Sequence, residues 1–235
     1  MQKKHMIVRD IYTEQLSKFI DKPQVKVITG IRRSGKSTVL ALLKEELLRR
    51  DVKDDHILRI NFESFNFISI TDAPALYSYV KDRINETGRY YILLDEIQVV
   101  GQWEKAINAF LVDFDVDIYI TGSNSNLLSS ELSTFLAGRY VELSVYPLSF
   151  GEYLKFRKFY FPLESADFMS YLRLGGFPVI HTVDYDQQSA YKVVHDIYSS
   201  AILRDTVQRY KVRNVELLDR VIKYVFDNIG NTFSG

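Results

Sequence analysis

The stretch Gly30-Ile31-Arg32-Arg33-Ser34-Gly35-Lys36-Ser37-Thr38 constrains this chain more than any other. Val25 to Thr29 before it reads as a buried strand. Ser37 to Arg50 after it carries Leu40, Leu43 and Leu47 at helical spacing. In a loop between strand and helix, the glycines let the backbone curl so that successive N–H groups point inward. The helix N-terminus adds partial positive charge, and the loop can cradle phosphate oxygens. In this spacing Lys36 reaches the terminal phosphates and the Ser37 hydroxyl ligates Mg²⁺. All nine residues from Gly30 to Thr38 are therefore expected to line a nucleotide site. Arg32 and Arg33 either add charge at the phosphates or face a partner.

Around this loop, short apolar runs alternate with amphipathic stretches up to about residue 145. Further strands are expected at Ile57–Phe62, Tyr90–Leu94, Asp117–Thr121 and Tyr140–Val145. Helices are expected at Ala75–Asn85, Trp103–Phe114 and Ser125–Leu136. Such alternation predicts an α/β fold with a parallel sheet covered on both faces. After Pro147 the pattern turns helical, over Ser149–Tyr160, Ala166–Leu174, Gln188–Tyr210 and Asn214–Ile229. The expected division is an ATP-binding core over 1–147 and a helical lid or linker region over 148–235.

The third strand ends in two acids, Asp95 and Glu96. Adjacent strand side chains point to opposite sides, so the two are expected to divide the work. Asp95 is assigned to the Mg²⁺ shell, as in phosphate-loop enzymes, and Glu96 to polarising the attacking water. The fourth strand runs into Gly122-Ser123-Asn124; by itself this reads as a turn with an N-cap at Ser123 or Asn124. No Asn-Lys-x-Asp guanine-reading motif occurs.

Composition removes other chemistries. With no cysteine, thiol catalysis, disulfides and Cys-based zinc sites are excluded. His5, His56, His181 and His195 fit no metal-ligand spacing. No apolar run approaches membrane length, and the N-terminus is not a signal peptide, so the expected location is the cytoplasm. Thirty basic and thirty acidic residues balance, which excludes a uniformly basic coat but leaves room for a local basic face.

Together with Leu136-Ala-Gly-Arg139, Pro147-Leu-Ser-Phe-Gly-Glu-Tyr153 and Gly175-Gly-Phe-Pro178, these motifs resemble those of prokaryotic AAA+-type ATPases that carry a poorly characterised C-terminal domain. The resemblance implies a five-stranded parallel sheet of order 5-1-4-3-2, with ATP and Mg²⁺ as cofactors. By it Lys36, Ser37, Asp95 and Glu96 keep the roles above, and Ser123 or Asn124 is similar to sensor 1. Arg139 is similar to an arginine that either senses the γ-phosphate in cis or acts as a finger toward a neighbouring subunit, and by itself it reads equally as half of a strand-edge salt bridge. Arg204-Asp205 matches a further family position without an assigned role. The family also implies a longer chain, continuing through a winged-helix-like segment into a domain similar to restriction-type nucleases.

Residues 1 to 36 hold nine Lys/Arg against three acids. Apart from those serving phosphates, these charges read as solvated surface or as contacts to nucleic acid. Tyr153–Phe161, with cations between aromatics, reads as an amphipathic helix docking Phe156, Phe159 and Tyr160, or as a stacking platform for single strands. Arg209–Arg213 carries the same two readings. The expected function is Mg-dependent ATP binding and hydrolysis driving a conformational switch. Nucleic acid, a protein partner or a second copy of the chain are the candidate partners. The alternatives are a non-catalytic, ATP-bound interaction module and a small-molecule kinase.

Overall fold

The structure is a computed structural model and describes residues 6–122, 136, 138–162, 167–203, 207 and 210–230. Five strands, β1 (Val25–Thr29), β2 (Ile57–Asn61), β3 (Tyr90–Asp95), β4 (Val116–Thr121) and β5 (Tyr140–Ser144), form one parallel sheet of order β2-β3-β4-β1-β5. Every residue of β1 and β3 is buried. Both strands have a neighbour on each edge and helices on each face, which is why they read as continuous apolar runs.

Alternation along the strands sorts side chains into two cores. Val25, Val27, Ile92, Leu94, Ile118 and Ile120 face one side. There they meet Leu76 and Val80 of α3 (Ala73–Lys81) and Ile107 and Phe110 of α4 (Trp103–Asp113). Ile28, Leu93 and Tyr119 face the other side. Their partners are Leu40, Leu43 and Leu47 of α2 (Lys36–Arg49) and Tyr12 and Leu16 of α1 (Asp10–Ser17). The sequence reading contains no counterpart of α1, whose eight residues are short for a periodic signal. The helix expected at Ser125–Leu136 lies outside the described residues except for Leu136, which is buried in the first core.

Beyond Pro147, α5 (Phe150–Tyr160) opens on a capping box. Ser149 Oγ accepts the Glu152 N–H, and the Glu152 carboxylate accepts the Ser149 N–H. α6 (Asp167–Leu174) and the short α7 (Pro178–His181) follow. A third core gathers Leu148, Tyr153 and Phe156 with Ile7 and Tyr171. Phe159 is exposed, unlike Phe156, so the aromatic stretch of α5 docks through only part of its length. Residues 1–185 and 186–235 are two compact units. In the second, Asp186 caps α8 (Gln187–Ile197), a π-helical segment spans Tyr198–Leu203, and Asn214 caps α9 (Val215–Asp227).

Two basic residues near the N-terminus are neither surface nor ligand groups. Lys26 lies inside the sheet, its ammonium donating to Asp117 Oδ1 at 2.5 Å and to the Lys22 carbonyl. Tyr119 donates to the same carboxylate. Burial lowers the Lys26 pKa and raises that of Asp117, outweighing their mutual attraction. Arg9 is the second, and it bears on the site below.

His181 is buried, edge-on to the Tyr153 ring at 4.6 Å, and donates from Nε2 to the Gly175 carbonyl. Burial lowers its pKa, with the Arg157 charge acting in the same direction, against the Gly175 bond. A histidine held neutral in the fold contributes stability that is complete above its ordinary pKa of 6.5 and declines as pH falls toward the lowered folded value. The melting temperature is expected to fall between about pH 7 and pH 5.5, with a shallower slope in His181→Gln. Parallel melting curves for the two proteins across this range would contradict that assignment.

Candidate nucleotide site

The loop from Gly30 to Gly35 leaves the C-terminal end of β1, flanked by β4 and β5, and enters α2. Strand order reverses here, which opens a crevice at the carboxyl ends of the strands. Two glycines are required by the backbone. Gly30 has φ +145°, and a Cβ there would stand 2.3 Å from the Val145 carbonyl oxygen; Gly35 turns into the helix at φ +103°. Arg33 also takes a left-handed φ of +66°, and it and Arg32 are exposed on the turn.

Lys36 is 4% exposed although it carries a charge. Its ammonium donates to the carbonyls of Gly30 (3.1 Å) and Ile31 (3.3 Å) and stands 3.6 Å from Glu96 Oε1. Ser37 Oγ donates to Asp95 Oδ1 at 3.0 Å. Thr121, at the end of β4, donates to the same oxygen at 2.6 Å and accepts the Glu96 N–H at 3.0 Å. Asp95 is fully buried, and its Oδ2 has no hydrogen-bond partner among the described residues. A buried carboxylate oxygen left unpaired is costly unless a cation or its water completes it. Mg²⁺ is commonly held by one or two carboxylates, with water and phosphate oxygens completing its shell. Among the described residues no cluster of three or more His, Cys, Asp or Glu offers an all-protein cage. The pairing of Ser37 with Asp95 fits such a cation.

Strand alternation does not aim Glu96, because β3 ends at Asp95. Glu96 takes a left-handed φ of +58°, and this turn brings its carboxylate back to Lys36 while Asp95 faces Ser37. Gln98 Nε2 donates to Glu96 Oε2 at 2.5 Å and holds the carboxylate from the side away from the lysine contact. Thr121 and Gln98 went unassigned in the sequence. Thr121 is visible there only as a polar residue closing an apolar strand, and Gln98 only as part of the Asp-Glu-Ile-Gln run.

Lys36, Ser37, Asp95 and Glu96 thus come together. Ser123, Asn124, Arg204 and Asp205 lie outside the described residues. Arg139 is not brought to the loop. Its carbonyl accepts the Val25 N–H at 2.8 Å, at the start of β1, whereas the loop follows the end of that strand. Five residues of strand, roughly 16 Å, separate the two. This placement leaves Arg139 a strand length from the loop of its own chain. Arg139 instead borders a cavity of about 410 Å³ with Pro23, Arg89 and Phe114.

Beside the loop a cavity of about 240 Å³ is bounded by Gly35 and Thr38 on one side and by Ile7, Phe156, Tyr160 and Pro178 on the other. Arg9, also missed as a site residue, borders it and is 2% exposed. Its guanidinium donates to the Ser34 carbonyl of the loop at 2.9 Å and to both oxygens of Glu152 at 2.8 and 3.1 Å.

A family model described as AAA domain matches residues 22–154. An uncharacterised protein of Haemophilus influenzae is 39% identical over 230 residues, covering 97% of this chain and 57% of the relative. One of Methanocaldococcus jannaschii is 34% identical over 215 residues, covering 88% and 47%. The chain therefore spans about half the length of these curated relatives. Among solved structures, the Walker-type ATPase PABY2304 of Pyrococcus abyssi superimposes with a TM-score of 0.57 at 18% identity, covering 95% of this chain and 79% of that one, a likeness of fold. The match spans the strands and loop that build the site, and the chain belongs to the AAA domain family.

Proposed function

We propose that this chain binds ATP with Mg²⁺ at the Gly30–Thr38 loop and hydrolyses it to ADP and phosphate. The observation that carries this reading is the convergence of Lys36, Ser37, Asp95 and Glu96 at the mouth of one loop, tied through Thr121. The loop N–H groups and Lys36 hold the phosphates, and the adjoining apolar cavity takes the nucleoside. Ser37 and Asp95 are the residues that would hold Mg²⁺, which neutralises phosphate charge when bound. Glu96, oriented by Gln98 and its own left-handed turn, accepts the proton of the attacking water.

Arg139, a strand length away, fits a role toward the site of a second copy rather than its own. ATP turnover in this reading reorients the helices that follow Pro147, with nucleic acid or a protein as candidate effector. Water is the acceptor in this reading, with Glu96 as its base; a small-molecule hydroxyl would use the same carboxylate, so the acceptor is what the assay distinguishes. The test is a phosphate-release assay on the full-length protein with ATP and Mg²⁺ and no added acceptor. Free phosphate is expected, and its omission on chelation of Mg²⁺. Release only with an added acceptor would identify a kinase, and binding without turnover an interaction module.

A further inference from the structure

We infer that Arg9 is a positioning residue for the phosphate loop, and that through Glu152 it makes occupancy of the loop felt in α5. This rests on the nucleotide reading of the loop. Arg9 belongs to no catalytic motif, lies before α1, and is buried with its charge. Its guanidinium donates to acceptors from three segments. These are the Ser34 carbonyl of the loop, the Tyr146 (2.9 Å) and Pro147 (3.5 Å) carbonyls just after the sheet, and both oxygens of Glu152 in the first turn of α5. The guanidinium also stands 4.5 Å from the Tyr12 ring centroid, and the Tyr12 hydroxyl accepts the Tyr146 N–H.

The contact at Ser34 has a direct consequence for phosphate binding. In a trans peptide the C=O of Ser34 and the N–H of Gly35 lie in one plane and point in opposite directions. Holding that carbonyl toward Arg9 fixes the Gly35 N–H away from it, with the loop's interior donors. Gly35, at φ +103°, has no side chain to resist another orientation, so an external donor must supply the preference. Ser34 Oγ is buried without a hydrogen-bond partner among the described residues, so the residue's own hydroxyl does not do so.

The contact at Glu152 carries the coupling. Burial pushes the Glu152 carboxyl up, but the Arg9 and Ser149 hydrogen bonds outweigh it and hold its pKa below the ordinary value, as an ionised partner of Arg9 requires. The same carboxylate closes the capping box of α5. A change in the Ser34 peptide therefore reaches the helix N-terminus through one rigid planar group. Because coupling between two sites is reciprocal, displacing α5 alters phosphate affinity by the same factor.

The experiment compares Arg9→Lys and Glu152→Gln with wild type, in ATP titration calorimetry and hydrogen exchange of the full-length protein. A lysine ammonium cannot reproduce the fork that meets a carboxylate and a carbonyl together. Arg9→Lys is expected to raise the ATP Kd about tenfold, which is about 1.4 kcal/mol. Glu152→Gln keeps the size of the side chain and the Ser34 contact, and is expected to raise it about threefold. In wild type, ATP is expected to slow exchange of amides 150–160; in Arg9→Lys that slowing is lost, while exchange in β3 remains native. A merely structural role would lower stability without uncoupling the two. If wild type binds ATP but both variants bind as tightly and keep the α5 response, this inference fails alone. If wild type itself does not bind ATP, the nucleotide reading fails with it.

Discussion

Lys36→Ala is expected to weaken ATP binding by roughly 10²- to 10³-fold, with the fold retained. The ammonium stands at the first residue of α2, where the loop's inward N–H groups and the helix terminus already favour negative charge. Hydrogen bonds to a charged partner contribute about 1.5–3 kcal/mol each, and Lys36 can offer more than one to phosphate oxygens. A loss of about 3–4 kcal/mol converts to the stated range. The same ammonium also contacts the Gly30 and Ile31 carbonyls and stands beside Glu96, so its removal frees the loop from an internal tie. The apolar face of α2, with Leu40, Leu43 and Leu47, is untouched, so the melting temperature serves as the control for folding. Calorimetry giving the wild-type Kd for Lys36→Ala would falsify the assignment of the loop to ATP.

Glu96→Gln is expected to retain ATP binding and to lower the turnover number by about 10²- to 10⁴-fold, the range supplied by a positioned general base. The substitution is nearly isosteric, and the amide oxygen can still accept from Gln98, so the left-handed turn and the Thr121 contact to the backbone survive. What disappears is the basic oxygen. Removing a carboxylate that faces Lys36 also takes one negative charge away from the site of a polyanion, so affinity is expected to be unchanged or higher. The measurement is single-turnover phosphate release at saturating ATP, alongside the binding isotherm. A rate within about threefold of wild type would assign water activation to another group. A parallel loss of binding would mean that Glu96 supports the loop rather than the chemistry.

These two residues mark how far the sequence could be read. The loop, its flanking strand and helix, and the five strands are written in short-range patterns: glycine spacing, alternation over five or six residues, leucines at helical intervals. The sheet order agrees with the arrangement that the family resemblance implied. The direction of Glu96 was not legible in this way. It depends on where β3 stops, and the stop is set by the left-handed turn and the Thr121 hydroxyl from a strand 25 residues away. The basic excess near the N-terminus also changes meaning. Arg9 and Lys26 counted as charges available to solvent or phosphates, yet each is buried against a carboxylate far along the chain, Glu152 and Asp117. Charge counting cannot anticipate such pairing, because burial is a property of both partners.

What the sequence determined by itself is the phosphate-binding element and the layered fold that presents it, since both follow from local backbone geometry and periodic burial. Tertiary structure alone decided which side chains converge there. Thr121 and Gln98 hold the two acids, Arg9 joins the loop to α5, and Arg139 stands at the far end of the strand that carries the loop. The physical reason is separation. A hydrogen bond across 143 residues, such as that of Arg9 to Glu152, leaves no period or spacing in the chain and exists only once the elements that carry its ends have packed.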